Sequence, residues 1–282
     1  MNIFSKKQVV PKSQAELLYE LQASKERQFH ANVGLSWFIL LFILVFTFSG
    51  LDITIGAKTF SGLQIDTEFM VNNLSFIAGG LGETIKISIL SIALAMLLAL
   101  LAALGRLSTL PPVYSLSTFY VSLIRGTPLY LQIFFFYLAL PQLGIVLSGL
   151  LSGVLALGLN YGAYMSEIFR AGLSSVGKGQ REAAMALGMT PTQTMRRVIL
   201  PQALRFAIPP VGNEFIAMTK DSALVSATGF VHELMWRSVK VGRAQFHTLE
   251  ALIMAAIFYW GMTLILSYLQ SRIEARLAKG DQ

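Results

Sequence analysis

The chain has 282 residues, 54% of them hydrophobic and 13% charged, with a formal net charge of +7. Soluble domains carry about 25% charged residues, so this composition excludes a large soluble core and places the chain in the membrane class. The absence of cysteine rules out disulfides and thiolate metal sites, and three scattered histidines (His30, His232 and His247) form no metal-binding cluster. The basic residues gather at the ends of apolar segments and not among surface aromatics, which argues for membrane topology and against nucleic acid.

Residues 1–32 carry Lys6, Lys7, Lys12, Lys25 and Arg27 spread along a polar stretch, unlike a secretory signal with its short apolar core. Ser13 and Glu16 have the spacing of a capping box, and Leu17, Leu18, Leu21 and Phe29 follow at helical spacing. The expectation is a cytoplasmic tail or a surface amphipathic helix. A membrane span needs roughly 20 apolar residues. Six segments qualify: 33–51, 84–104, 113–140, 144–169, 204–219 and 251–269. The third is interrupted at Arg125-Gly126-Thr127-Pro128, and the fifth is expected to break at Pro209, Pro210 and Gly212. The expected fold is therefore an all-α membrane protein of about six transmembrane helices.

Placing both ends in the cytoplasm puts fifteen of the 22 Lys and Arg residues inside and five outside, while Arg125 and Lys220 fall within segments. That bias fits a bacterial inner-membrane protein, and only the outside cluster Arg237, Lys240 and Arg243 runs against it.

Residues 171–203 form a long polar loop with strong local signals. Gln180 to Leu187 has good helix formers and stops at Gly188. Thr190, Pro191 and Gln193 have the order of an N-cap, a first-turn proline and a capping-box partner. Pro201 is expected to end or kink the second helix. Two short helices meeting at a glycine turn are predicted, with Ala183, Ala184 and Ala186 giving a low surface for another protein and Arg196 and Arg197 flanking it.

Glu182-Ala183-Ala184, Gly188, Val198 and Leu200-Pro201 resemble the coupling-loop motif of ABC importer permeases, with Val198 where that family usually has isoleucine. Arg125-Gly126-Thr127-Pro128-Leu129 with Gln132, the run Tyr161 to Arg170, and Asn213-Glu214-Phe215 followed by Lys220-Asp221-Ser222 resemble the permeases for polar amino acids and opines. The resemblance covers a core of about residues 80–275 and leaves 33–51 as an extra first helix. It implies the type I importer permease fold, with 171–203 as a cytoplasmic coupling loop docked on a separate ATPase dimer. It also implies an extracytoplasmic amino-acid-binding protein and a second permease copy or related permease. ATP and magnesium would then sit on the ATPase, with no cofactor in this chain.

Gly172 to Lys178 nearly forms a phosphate-binding loop, but Gly179 stands where serine or threonine must hold magnesium. No catalytic motif is present to make the chain itself an enzyme. Ionisable groups within a bilayer cost roughly 2.5–3.5 kcal/mol on insertion scales, so each needs a reason. Arg125 beside Thr127 marks either a pathway or a lock between helices. Asn160, Tyr164 and Glu167 share one helical face, able to take an ammonium group or to join helices. Asn213 and Glu214 form a second pair, and Lys220-Asp221 reads as an ion-paired segment end, with a gating role as the alternative. These acidic groups permit a basic amino acid. A gradient-driven secondary transporter, with Glu167 and Glu214 carrying protons, is the alternative, and a membrane scaffold leaves the coupling motif unexplained.

Overall fold

The computed structural model describes residues 14–56 and 58–278, so the capping box expected at Ser13 lies outside the described residues. The chain divides into two units, Met1–Asp66 and Thr67–Gln282.

The first unit holds α1 (Gln14–Thr47) and a two-stranded antiparallel hairpin, β1 (Asp52–Ile55) with β2 (Lys58–Ser61). Within α1, residues 22–47 are long and apolar enough to cross a membrane, and none of that span is buried. The expected segment ran on to Leu51. It stops at Thr47 because the chain turns there: Gly62 and Leu63 donate backbone hydrogen bonds to Leu51 and Thr47. The hairpin also departs from the all-α expectation. Its strands, Asp-Ile-Thr-Ile and Lys-Thr-Phe-Ser, are rich in β-branched residues, flanking a positive-φ turn at Gly56.

The second unit contains α2 (Thr67–Ala78), α3 (Leu81–Gly105), α4 (Pro111–Arg125), α5 (Leu129–Phe134), α6 (Gly149–Ser175), α7 (Lys178–Ala186), α8 (Pro191–Thr194), α9 (Leu200–Asp221), α10 (Leu234–Ala244) and α11 (Thr248–Ala278). Its centre is the pairing of α3 with α6. Gly158 and Gly162 stand one turn apart on α6, where a Cβ at Gly158 would lie 2.6 Å from Leu94 and one at Gly162 would lie 3.0 Å from the Leu98 Cβ. Ala95, Ala99 and Ala103 of α3 are fully buried in the same unit. Small residues at this spacing let two membrane helices approach closely where side chains have no hydrophobic drive to associate. Ile133, Leu157, Met165, Met218 and Val225 complete the core around this pair.

By length and composition three described helices are able to span a membrane, or four if α4 with the helical stretch that begins at α5 counts as one bent span. The expected count of six is not reached by that measure. The remaining helices α6 and α9 have 27 and 22 residues, enough to cross, but they carry Asn160, Glu167 and Arg170 or Arg205, Glu214, Lys220 and Asp221. Asn160 of α6 is buried among its neighbours, so it faces protein and not lipid. The fourth segment also begins later than expected, at Gly149, because Gly144 ends a short 3-10 turn with φ +81°.

The expected break in α9 is absent. Pro209 and Pro210 lie inside one continuous helix, and Gln270 of α11 donates to the Pro209 carbonyl at 3.1 Å and to Asn213 Oδ1 at 3.1 Å. Pro201 lies in the first turn of α9, and the second short helix ends ahead of it at Thr194. A π turn at Met195–Ile199 precedes it and joins α8 to α9. A widened turn shifts the hydrogen-bond ladder just ahead of the proline, where an ordinary turn would need its missing N–H.

Candidate functional site

The interruption in the third segment is the architectural feature that makes a cavity. α4 ends at Arg125, and the following helical stretch leaves Pro128 at 103° to it. A broken helix frees carbonyl groups, which are tolerated at membrane depth only if protein or water satisfies them. Gln132 does so here. Its amide donates to Ile124 O at 2.8 Å, to Thr127 Oγ1 at 2.8 Å and to Thr127 O at 3.2 Å, while its own oxygen accepts from Asn160 Nδ2 at 3.2 Å. Gln132 is buried, so it braces the break from behind and does not line the opening.

In front of the break lies a cavity of about 600 Å³ lined by Arg125, Thr127, Asn160, Tyr164 and Glu214, together with Tyr161 and Asp221. Five of the sequence-derived candidates thus meet across α4, the break, α6 and α9. The lining joins one guanidinium to two carboxylates, with hydroxyl and amide groups between them. Such a set can hold a small zwitterion by its carboxylate at one end and its ammonium at the other.

Asn213 and Glu167 lie apart from this lining. Asn213 faces Gln270, as described above. Glu167 is the centre of an ion cluster: it accepts from Arg106 at the end of α3, lies 2.9 Å from Arg170 one turn further along α6, and 3.5 Å from Arg125. Arg125 also stands over the Tyr164 ring at 4.9 Å. It therefore links α4 to Glu167 of α6 and also lines the cavity.

Two lining residues were not singled out as site residues. Tyr161 donates to Asp221 Oδ2 at 2.8 Å, which replaces the expected pairing of Asp221 with Lys220. The contact joins positions 60 apart in sequence.

The loop at the other end of α6 follows its local signals. The Gly172–Ser175 stretch is helical and continues α6, which leaves no phosphate-binding loop there. After α7, Gly188 takes φ +76°; Gly188 N–H donates to Met185 O at 2.9 Å and Met189 N–H to Ala184 O at 3.1 Å. This is a Schellman termination. Thr190 and Gln193 exchange both hydrogen bonds of the capping box around Pro191. Ala184 is buried, which corrects its placement on a shared docking surface. Glu182, Ala183, Arg196 and Arg197 are exposed, and so are Met185 at 59% and Leu187 at 78%.

A broken helix, a polar cavity inside an apolar bundle and a capped helical loop at one end define the class, a membrane permease subunit. The chain belongs to the family of binding-protein-dependent transport system inner membrane components, whose sequence profile matches residues 94–279. It is similar to the arginine transport system permease protein ArtQ of Bacillus subtilis, 38% identical over 78% of this chain and all of the relative. It is also similar to the L-cystine transport system permease protein TcyB of the same organism, 43% identical over 71% of this chain and 86% of the relative. Among solved structures, an amino acid ABC transporter with histidines superposes with a TM-score of 0.72 at 38% identity, over 76% of this chain and all of the other. The MetNI methionine ABC transporter, at 19% identity and a TM-score of 0.60 over 73% of this chain and 98% of the other, shares the fold.

Proposed function

We propose that this chain forms the translocation path of an ATP-driven importer and that its preferred cargo is a basic amino acid. The observation that carries the reading is the composition of the cavity. Arg125 supplies one positive group for an α-carboxylate, whereas Glu214 and Asp221 supply two negative ones, enough for an α-ammonium and a second cation on the side chain. The relatives carry names of arginine, cystine and glutamine permeases, and the cavity chemistry favours the first of these.

The exposed loop 171–203 supports docking on a cytoplasmic ATPase dimer, with Met185 and Leu187 as apolar contacts and Arg196 and Arg197 beside them. ATP and magnesium belong on that partner. An extracytoplasmic binding protein delivers the amino acid, and a second permease copy or related chain completes the path. Both termini then lie in the cytoplasm of a bacterium, and α1 is an added membrane helix ahead of the core. Family membership gives no support to a gradient-driven transporter acting alone.

Charge removal in the cavity tests the cargo. In proteoliposomes holding the whole transporter, Asp221→Asn keeps an acceptor for Tyr161 but loses the charge. Arginine uptake is expected to fall at least about tenfold, the equivalent of about 1.4 kcal/mol, with glutamine uptake much less affected. Equal losses for both amino acids would remove the case for a basic cargo.

A further inference from the structure

Glu233 is the most deeply buried carboxylate among the described residues, with no exposed surface, and the cavity makes no use of it. It lies between the 3-10 turn Ser222–Thr228 and α10. Its carboxylate accepts from the backbone N–H groups of Met235 at 2.9 Å and Trp236 at 2.7 Å, from the Tyr259 hydroxyl of α11 at 2.7 Å, and from the Thr84 hydroxyl of α3 at 3.5 Å. The bond at Thr84 is the longest of the four, and the Leu234 N–H also donates to the Thr84 oxygen at 3.3 Å. One side chain therefore joins three helices.

Among the described residues no cation pairs with this buried carboxyl group. Arg237, one turn along α10, donates instead to His232 O and Phe76 O, each at 3.0 Å. His232 stacks on Trp236 at 3.8 Å, Glu83 and Lys86 of α3 pair with each other in the open at 3.4 Å, and Glu250 of α11 pairs with His247 at 3.7 Å. Tyr259 is the titratable neighbour in contact.

The position of Glu233 gives this junction a consequence for transport. The chain leaves the cavity wall at Asp221, which is fixed to Tyr161, and runs through residues 222–232 to Glu233. Along this strap Val225 packs against α6 at Gly153 and Val231 sits in the core. The junction lies at the end of the bundle where α3 and α6 begin, opposite the 171–203 loop. The strap is thus held by hydrogen bonds at both ends and by packing at Val225 and Val231 between them.

We propose that Glu233 is the positioning residue that sets when this strap moves, joining α10 to α3 and α11 in the resting arrangement and releasing it when the far end of the path opens. The inference rests on the transporter reading given above. Burial raises the affinity of the carboxyl group for its proton, against the opposing effect of its four hydrogen bonds. A carboxyl group that binds a proton more tightly when packed than when hydrated makes the packed arrangement more stable as pH falls and less stable as pH rises through the raised value. Acid on that side is therefore expected to hold the strap in place.

The test uses the complete transporter in proteoliposomes, with ATP outside, the far face of the permease in the lumen, and luminal pH set before assay. Glu233→Ala removes the junction and is expected to raise ATPase activity without binding protein about three- to tenfold, as loss of the two hydrogen bonds that reach other helices, from Thr84 and Tyr259, shifts a two-state population. Glu233→Gln, neutral at every pH, keeps one acceptor oxygen for Met235, Tyr259 and Thr84, and is expected to raise basal activity less than the alanine variant and to abolish the fall in activity expected of wild type on acidifying the lumen. Normal basal ATPase in the alanine variant, or a wild-type luminal pH profile in the glutamine variant, overturns the proposal. Hydrogen exchange on the chain in detergent separates this from failure of the transporter reading. Glu233→Ala must accelerate exchange across residues 222–244 whether or not the preparation transports, and unchanged exchange there refutes the junction itself.

Discussion

Gly188→Val is expected to lower amino-acid uptake at least about tenfold while the permease still binds its ATPase and hydrolysis continues. The turn after α7 requires φ +76° at this residue, and both hydrogen bonds of the Schellman termination depend on it. A left-handed conformation costs an L-residue roughly 1–2 kcal/mol, and a β-branched side chain adds to that. The substituted turn relaxes by leaving this region, which re-aims α7 relative to the rod that starts at Thr190. A docking surface that is present but misdirected transmits hydrolysis poorly. Asparagine tolerates the left-handed region, so Gly188→Asn serves as the control and should keep most of the uptake. Both quantities are read from one proteoliposome preparation, as labelled amino acid taken up per ATP hydrolysed. A wild-type ratio in the valine variant contradicts the proposed docking role of the loop.

Glu167→Gln is the second large effect. The side chain keeps its shape but loses the charge shared by Arg106, Arg125 and Arg170, so three guanidinium groups are left facing one another. Removing one partner of a buried ion pair costs about 3–5 kcal/mol. The Glu167 side chain retains 28% exposure and solvent screens part of the repulsion, so a loss of about 1–3 kcal/mol is expected. It is measured as a lower unfolding midpoint in detergent. Uptake should fall as well, because Arg125 loses the partner that holds it at the cavity wall. Arg170→Gln provides the comparison. It leaves Glu167 with two cations and should be the milder change in both measurements. An unchanged midpoint in Glu167→Gln means that the cluster does not hold α3, α4 and α6 together.

What was legible in the sequence was local. The break at residues 125–128, the glycine stop at 188 and the capping box at Thr190 each follow from a few neighbouring residues, and each is found where the residues place it. Cost was legible too: Arg125, Asn160 and Glu214 stand out because polar groups in an apolar segment need partners, and all three reach the cavity. Partner choice was not legible. Glu167 meets Arg106 and Arg125 from other parts of the chain and Tyr161 meets Asp221 across 60 positions, contacts that exist only once α3, α4, α6 and α9 have packed; the pairing with Arg170, three residues along the same helix, is local. Proline rules failed in α9 for a related reason. Pro209 and Pro210 would break an isolated helix, but in the packed unit Gln270 from α11 braces that stretch. The short helices α2 and α10 are too short to read as spans, and their apolar faces become meaningful only against α11, where Phe69, Ile77, Leu234, Val241, Ala251 and Met254 form one cluster.

The most direct test of the central claim is uptake of labelled arginine by proteoliposomes containing this chain, with and without its ATPase subunits and binding protein. Uptake that requires ATP, the ATPase and the binding protein together is the predicted result. Uptake by the chain alone, driven by a proton or sodium gradient and indifferent to ATP, would contradict it.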